Sequence, residues 1–262
     1  KHNEFILHYQ PRYKVDGKQI VSVEALVRWQ HPTKGLLGPD LFIPLAEQTD
    51  LIVPLGRWVL REACETVLTW PEDILLSVNL SPAQFAVTAV VEDVREVLVD
   101  TRFPASRLEL EITENVMLND TDGALTTMNA LKELGVRLNM DDFGTGYSSL
   151  GYLRAYPFDG IKIDKRFIAS ISSGANDRAV VQAIIGLGKA MGLTVTAEGV
   201  ETAEQLDILG ADQCNEVQGY FMSRPVDKTE FMGLLQTSRS GQAAQPKAKK
   251  VSVRSGLNLE GL

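Results

Sequence analysis

The sequence predicts an α/β protein closed into a barrel of eight strands, one of which runs against the others. Three observations carry that prediction. Short β-branched and apolar runs alternate with longer runs whose apolar residues recur at helical spacing, the pattern of a parallel sheet covered by helices. Eight strand-like runs occur in one chain of 262 residues, a number and length that favour a closed ring over an open sheet. The first two runs have no helix between them, so they read as a hairpin with one strand reversed.

The elements follow in order. EFILHYQPRYKV (4–15) and IVSVEALVRW (20–29) are the hairpin strands. LGRWVLREACETVLTW (55–70) is a helix, ILLSVNL (74–80) a buried strand and VVEDVREVLVD (90–100) a helix. RLELEIT (107–113) is a strand, and DGALTTMNALKELG (122–135) is a helix that stops at Gly135. VRLNMDDF (136–143) and GIKID (160–164) are strands. NDRAVVQAIIGLGKAMG (176–192) is a helix for which Asn176 or Asp177 is the expected cap. LTVTAEGV (193–200) and CNEVQGY (214–220) are strands, TAEQLDILG (202–210) lies between them as a helix, and DKTEFMGLLQT (227–237) is the closing helix. The barrel is expected over 1–237. Residues 238–262 lack periodicity and are rich in small and basic residues, so they are read as a disordered basic tail.

Composition excludes several classes. No run of about 18 apolar residues is present, so no membrane span is encoded. Cys64 and Cys214 are too few for a disulfide framework and read as core thiols in a reducing compartment. His2, His8 and His31 fit neither a zinc cluster nor a proton relay. The net charge is −8, yet the tail from Ser238 carries five basic residues against Glu260, so the body carries −12. That surface argues against a DNA or RNA groove, but not against a small anion bound through cations.

In a barrel of this kind the chemistry lies where strands end and helix-bound loops begin. Those ends carry Glu24 and Arg28, Asn79, Glu111 and Glu114, Asp141 and Asp142, Lys162 and Asp164, Glu198, and Gln218. Each alone is an ordinary solvated group. Together they place an oxygen ligand or a cation on nearly every strand, several beside apolar neighbours, and a buried carboxylate needs a partner. Glu24, Glu111, Asp141, Asp142 and Glu198 bring five negative charges, against which Arg28 and Lys162 set two positive ones. Two divalent ions would tip the balance slightly positive, which suits an anionic phosphodiester. Hard oxygen ligands favour Mg2+ or Mn2+ over zinc, and two ions sharing a carboxylate form a phosphoryl-transfer site. Asp141 is expected to bridge them and Asp142 to bind one, with the strand end turning so that both face inward. Gly144 and Gly146 would let the next loop turn sharply and act as a gate.

The same residues carry a family resemblance. EALVRW (24–29) resembles the signature of the EAL domain, a family of bacterial cyclic di-GMP phosphodiesterases. The similarity continues in order through NLSP, EITE, DDFGTGYSSL, KIDK, AEGVE and QGYFMSRP, over residues 4–236. It implies a modified (β/α)8, TIM-like barrel with one antiparallel strand. It implies hydrolysis of one phosphodiester of cyclic di-GMP to linear pGpG, with two Mg2+ or Mn2+ ions per site. By motif, Glu24, Asn79, Glu111 and Asp141 match the ligands of one ion, and Asp141, Asp142 and Glu198 those of the other. Lys162 matches the lysine beside the attacking water, and Glu198 also matches a proposed general base. Gln218 matches a residue needed for activity, and Glu114 the glutamate anchoring the gating loop. Arg28 matches the phosphate-binding arginine, and Gln10, Leu26, Asn79, Asp164 and Gln218 stand with it as expected substrate contacts.

Two positions depart from the pattern: Asp50 stands where the family usually has glycine, and Thr66 where glutamine is common. The rival reading is a catalytically silent cyclic di-GMP receptor. Such members lose one or more of the acids, whereas this chain keeps all of them. The resemblance further implies a homodimer, an N-terminal regulatory domain in the full-length protein, and a cytoplasmic domain compatible with an upstream membrane anchor.

Overall fold

The computed structural model describes residues 4–85, 90–114, 116–117, 121–144, 150–172 and 174–240. Residues 145–149, with Gly146 of the expected gate, and the tail beyond 240 lie outside the described residues. The strands are β1 (Phe5–Lys14), β2 (Ile20–His31), β3 (Gly35–Leu37), β4 (Leu75–Leu80), β5 (Leu108–Thr113), β6 (Arg137–Phe143), β7 (Gly160–Ile163), β8 (Thr194–Ala197) and β9 (Glu216–Val217). Eight of them form a ring in the order β1-β9-β8-β7-β6-β5-β4-β2, closed by pairing of β1 with β2. β1 is antiparallel to both its neighbours, while β2 and β4 to β9 are mutually parallel. The fold is therefore the expected modified barrel. The short β3, not anticipated from sequence, adds to β2 outside the ring.

The helices are α1 (Ile43–Gln48), α2 (Ile52–Leu68), α3 (Pro82–Phe85), α4 (Val90–Thr101), α5 (Thr121–Glu133), α6 (Leu150–Ala155), α7 (Lys165–Ala169), α8 (Ala175–Met191), α9 (Ala203–Ala211) and α10 (Lys228–Arg239). The long ones follow their apolar periodicity. α2, for example, buries Ile52, Val59, Leu60, Ala63, Cys64 and Val67 on one face. The ends are chemically fixed. Thr202 and Gln205 form a capping box on α9, and the Asp227 carboxylate accepts from the amides of Thr229 and Glu230 at the start of α10. α8 needs one correction. It begins at Ala175 with Gly174 as N-cap, so Asn176 and Asp177 already lie in its first turn. There Asp177 accepts from the Ser170 hydroxyl, and an acid in the first turn still favours the positive helix end. The short α1, α3, α6 and α7 lie in segments with too few residues to show a period.

The aliphatic core lies between ring and helices, because each strand turns alternate residues outward. Leu76 and Val78, Leu108, Leu110 and Ile112, Leu138 and Met140, Ile161 and Ile163, and Val195 and Ala197 are all buried there. Each such leucine or isoleucine contributes about 1.5–3 kcal/mol by burial. Tyr9, Trp70 and Phe231 tie α10 to the outside of β1, with Trp70 stacked on Phe231 at 4.5 Å. α10 continues to Arg239, and the Ser238 hydroxyl beside it accepts from the Ile20 amide. Cys64 and Cys214 are buried free thiols, and burial pushes both up to about 12.

Both departures from the family pattern have a structural setting. Asp50 has φ +55°, in the left-handed region that glycine occupies without strain. Thr66 stands on α2 and hydrogen-bonds the Tyr9 hydroxyl.

Candidate active site

The inward-facing residues of the ring are polar rather than apolar. Their side-chain contacts sort them into an upper and a lower layer. The upper layer takes one residue from each strand or its end: Gln10, Glu24, Asn79, Glu111, Asp141, Lys162, Glu198 and Gln218. Register places Gln10 opposite Glu24 and Asn79 opposite Glu111. Lys162 is its hub. Its ammonium is 2.6 Å from Glu198, 2.7 Å from Glu111, 3.4 Å from Asp141 and 3.8 Å from Glu24, and the residue is only 1% exposed. Glu24 is held on its other flanks, accepting from the Asn79 amide at 2.7 Å and the Gln218 amide at 2.6 Å. Gln218 also donates to Gln10, which donates in turn to the Ser223 carbonyl.

Adjacent residues on a regular strand face opposite ways, yet Asp141 and Asp142 share the site. The ladder explains this. Met140 pairs with Ile161 and Phe143 with Ile163, so β6 carries one residue more than β7 at this point. Asp142 takes φ +54° in that bulge, and its amide donates to the Asp141 carboxylate. Aspartate is among the few residues that accept this backbone. Oxygens of Asp141, Asp142 and Glu198 consequently lie within 4.8 Å of one another. Gly144 follows at φ +95°, where an added Cβ would stand 2.9 Å from the Phe167 ring. This is the sharp turn expected of it.

The electrostatics are unbalanced. Burial pushes the Glu198 carboxyl up to about 8 against the pull of Lys162, with Asp141 and Glu24 adding to the rise. Burial, Asp141 and a hydrogen bond with Asp164 bring Asp142 to about 6. Burial also raises Glu111, which Lys162 does not fully offset against Glu24 and Asp141. Glu24 is the exception: Lys162, Gln218 and Asn79 outweigh its burial and hold it low. Oε1 of Glu111 is buried with no hydrogen bond. Clustered carboxylates short of countercharge, one with an unused buried oxygen, fit hard divalent cations. Glu24, Asn79, Glu111, Asp141, Asp142 and Glu198 supply an all-oxygen donor set.

The other expected residues fall around this centre. Leu26 and Arg28 continue the inward face of β2 above Glu24, with Arg28 half-buried and donating to the Val27 carbonyl. Asp164 caps α7, accepting from the amide and side chain of Arg166, and stands behind Asp142 through their shared hydrogen bond. Glu114 is buried in the turn after β5. The residues 145–149 that it is expected to anchor are outside the described part.

Sequence reasoning missed the lower layer. Arg12, Ser22, Ser77, Glu109, Asn139, Thr196 and Glu216 each stand two residues from an upper-layer member, one step deeper. Glu109 accepts from Arg12, from Ser22 at 3.1 Å, from Ser77 at 3.2 Å and from Asn139 at 3.1 Å. Arg12 also pairs with Glu216 at 2.7 Å. On β7 the corresponding position is Gly160, where a Cβ would meet the Asn139 side chain at 2.7 Å. The available signal was the spacing of two, as in Ser22-x-Glu24, Ser77-x-Asn79 and Glu109-x-Glu111.

The chain is similar to several known proteins. The family model described as EAL domain matches residues 1–225. MucR of Pseudomonas aeruginosa, a bifunctional diguanylate cyclase/cyclic di-GMP phosphodiesterase, is 42% identical over 233 residues, covering 87% of this chain and 34% of that protein. NbdA of the same species, a cyclic di-GMP phosphodiesterase, is 44% identical over 224 residues, covering 84% of this chain and 29% of that protein. Among solved structures, the MucR phosphodiesterase in complex with c-di-GMP superimposes with a TM-score of 0.85 at 42% identity, covering 87% of this chain and 94% of that one. The chain spans 29% to 34% of the length of several curated relatives it matches. No helix among the described residues is long and apolar enough to cross a membrane.

Proposed function

The chain belongs to the EAL domain family, and from that premise we propose that it hydrolyses one phosphodiester bond of cyclic di-GMP to linear pGpG with two divalent ions, Mg2+ or Mn2+. The observation that carries this reading is the ring of carboxylates around Lys162, short of countercharge at the mouth of the barrel. Glu24, Asn79, Glu111 and Asp141 would hold one ion, and Asp141, Asp142 and Glu198 the other. When bound, the ions supply an activated water and offset charge on the leaving oxygen.

The chain's own residues do the remaining work. Lys162 holds the acids in place and stands ready to orient the water. Glu198 takes the proton of that water as its oxygen attacks phosphorus. The P–O3′ bond breaks, the 3′ oxygen takes a proton from solvent, and a 5′-phosphate remains on the product. Arg28, higher on the same strand face as Glu24, binds a phosphate, with Leu26 as its apolar neighbour at the nucleotide. Gln218 and Gln10 fix Glu24 from the side. Asp164 is a substrate contact in this reading, and Glu114 anchors the loop that gates the mouth. A homodimer, a neighbouring regulatory domain and a cytoplasmic site of action belong to the same proposal, and the greater length of the relatives supports the second of these.

The test is incubation of the purified chain with cyclic di-GMP in Mg2+, Mn2+, Ca2+ or EDTA, followed by chromatography. Formation of pGpG with Mg2+ or Mn2+ and none with EDTA is expected. Binding without product in every metal would replace the enzyme by a silent receptor. Arg28→Ala should raise KM about 10-fold with kcat little changed, because it removes one charge-assisted contact to phosphate.

A further inference from the structure

Barrels of this type commonly fill their interior with branched apolar side chains. Here a guanidinium lies beneath the site. Arg12 is 2% exposed and reaches four groups: Glu109, Glu216 at 2.7 Å, the Ser77 hydroxyl at 3.5 Å and Oε1 of Glu111 at 3.7 Å. Burying an ion pair is seldom the cheapest way to stabilise a core, so its position asks for another reason.

That reason lies in Glu111. Its Oε2 is held from the side by Lys162 at 2.7 Å. Its Oε1 is buried without a hydrogen bond, and Arg12 is the cation facing it from below. Two cations at the two oxygens define the plane of one carboxylate. We infer that Arg12 is a positioning residue, which fixes Glu111 from beneath so that its oxygens are pre-set for a divalent ion. The inference rests on the reading of Glu111 as a metal ligand. A rigid planar fork suits this task, because separate nitrogens meet Glu109, Glu216 and Glu111 in fixed directions, whereas an ammonium is a single point charge. Glu109 and Glu216 keep the fork in place, with Arg137 at 3.4 Å from Glu109 on its far side. Two carboxylates and two guanidiniums leave this group neutral overall, so its effect on the upper layer is one of orientation rather than of charge.

The experiment is Mn2+ titration of the metal-free chain by calorimetry and electron paramagnetic resonance, without substrate. It compares wild type, Arg12→Lys, and the charge-conserving double variant Arg12→Met, Glu216→Gln, in which Glu109 keeps Arg137. Circular dichroism and Tm accompany each titration. Arg12→Lys keeps the charge and loses the fork, and it should bind Mn2+ about 10-fold more weakly, as with other outer partners of metal ligands. In the double variant the group stays neutral, and Mn2+ binding should weaken to the same degree. Folded variants with affinity within twofold of wild type would make Arg12 purely structural and overturn the inference. A wild-type chain that binds no Mn2+ would instead sink the metal reading of the site itself.

Discussion

The two layers inside the barrel are built alike and end in opposite electrostatic states. Each draws on the ring of strands, each joins side-chain amides or hydroxyls to carboxylates, and each is centred on one buried cation. In the lower layer two glutamates share Arg12, with Arg137 nearby. Burial pushes the Glu109 carboxyl up, but Arg12 and Arg137 pull it below its ordinary value. In the upper layer four carboxylates share Lys162, and Glu111 and Glu198 are raised. Stoichiometry separates a structural network from a site. A charge-balanced network calls for no further ion, whereas one short of positive charge is a place for cations or protons.

The largest expected effect breaks the upper layer. Asp141→Ala or Glu24→Ala should lower kcat by more than ~100-fold, beyond the roughly 10- to 100-fold loss from a residue that only supports a metal ligand, with the fold retained by circular dichroism. Near-normal rates in both would remove the two-ion reading.

The second prediction sets the layers against each other. Glu109→Gln strips Arg12 of a buried partner and should cost about 3 kcal/mol in urea unfolding. Glu198→Gln mimics a carboxyl that is already largely protonated in the metal-free chain at neutral pH, so it should not lower stability there. Equal losses from the two substitutions would contradict the contrast between layers.

A third, smaller effect depends on pH. A carboxyl with a raised folded value binds more protons when folded. Its stabilisation is full below the unfolded value and is lost as pH rises through the folded one. For Glu198 those values are 4.5 and about 8, and Asp142, at about 6, adds the same sign at lower pH. His8, pulled down by burial and by Arg28, acts in the opposite sense only below its ordinary 6.5. Thermal melts in EDTA should therefore show Tm falling from about pH 6.5 to 8.5. Saturating Mg2+ or Glu198→Gln should flatten that fall, and a Tm indifferent to both would reject it.

The smallest effect is a control outside both layers. Asp50→Gly should stabilise by about 0.5–1 kcal/mol by relieving a left-handed backbone, with activity unchanged. A destabilised variant would mean that the Asp50 side chain contributes more than its strain costs.

Much of this was legible in the sequence, for identifiable reasons. The strands and long helices announce themselves by period, and Glu24, Glu111, Asp141, Asp142, Lys162 and Glu198 lie at strand ends, where a barrel gathers its chemistry. The bulge that turns both aspartates inward was expected only as a turn, because the extra residue shows only against the ladder of β7. Arg12 and Glu216 were illegible singly. Arg12 follows Pro11 in a strand of mixed polarity, and Glu216 looks like an ordinary solvated acid. They gain meaning only when ring closure brings β1 against β9.

That closure has a consequence for how the molecule is made. Glu24 and Gln218 touch, yet 194 residues separate them. The β1–β2 hairpin is local and can form early, whereas β9 must arrive before the ring shuts. Contacts of such sequence separation are the slow ones in folding. The mutually repelling acids therefore come fully together only when the ring shuts. A divalent ion present during refolding should hasten that final step more than the earlier ones.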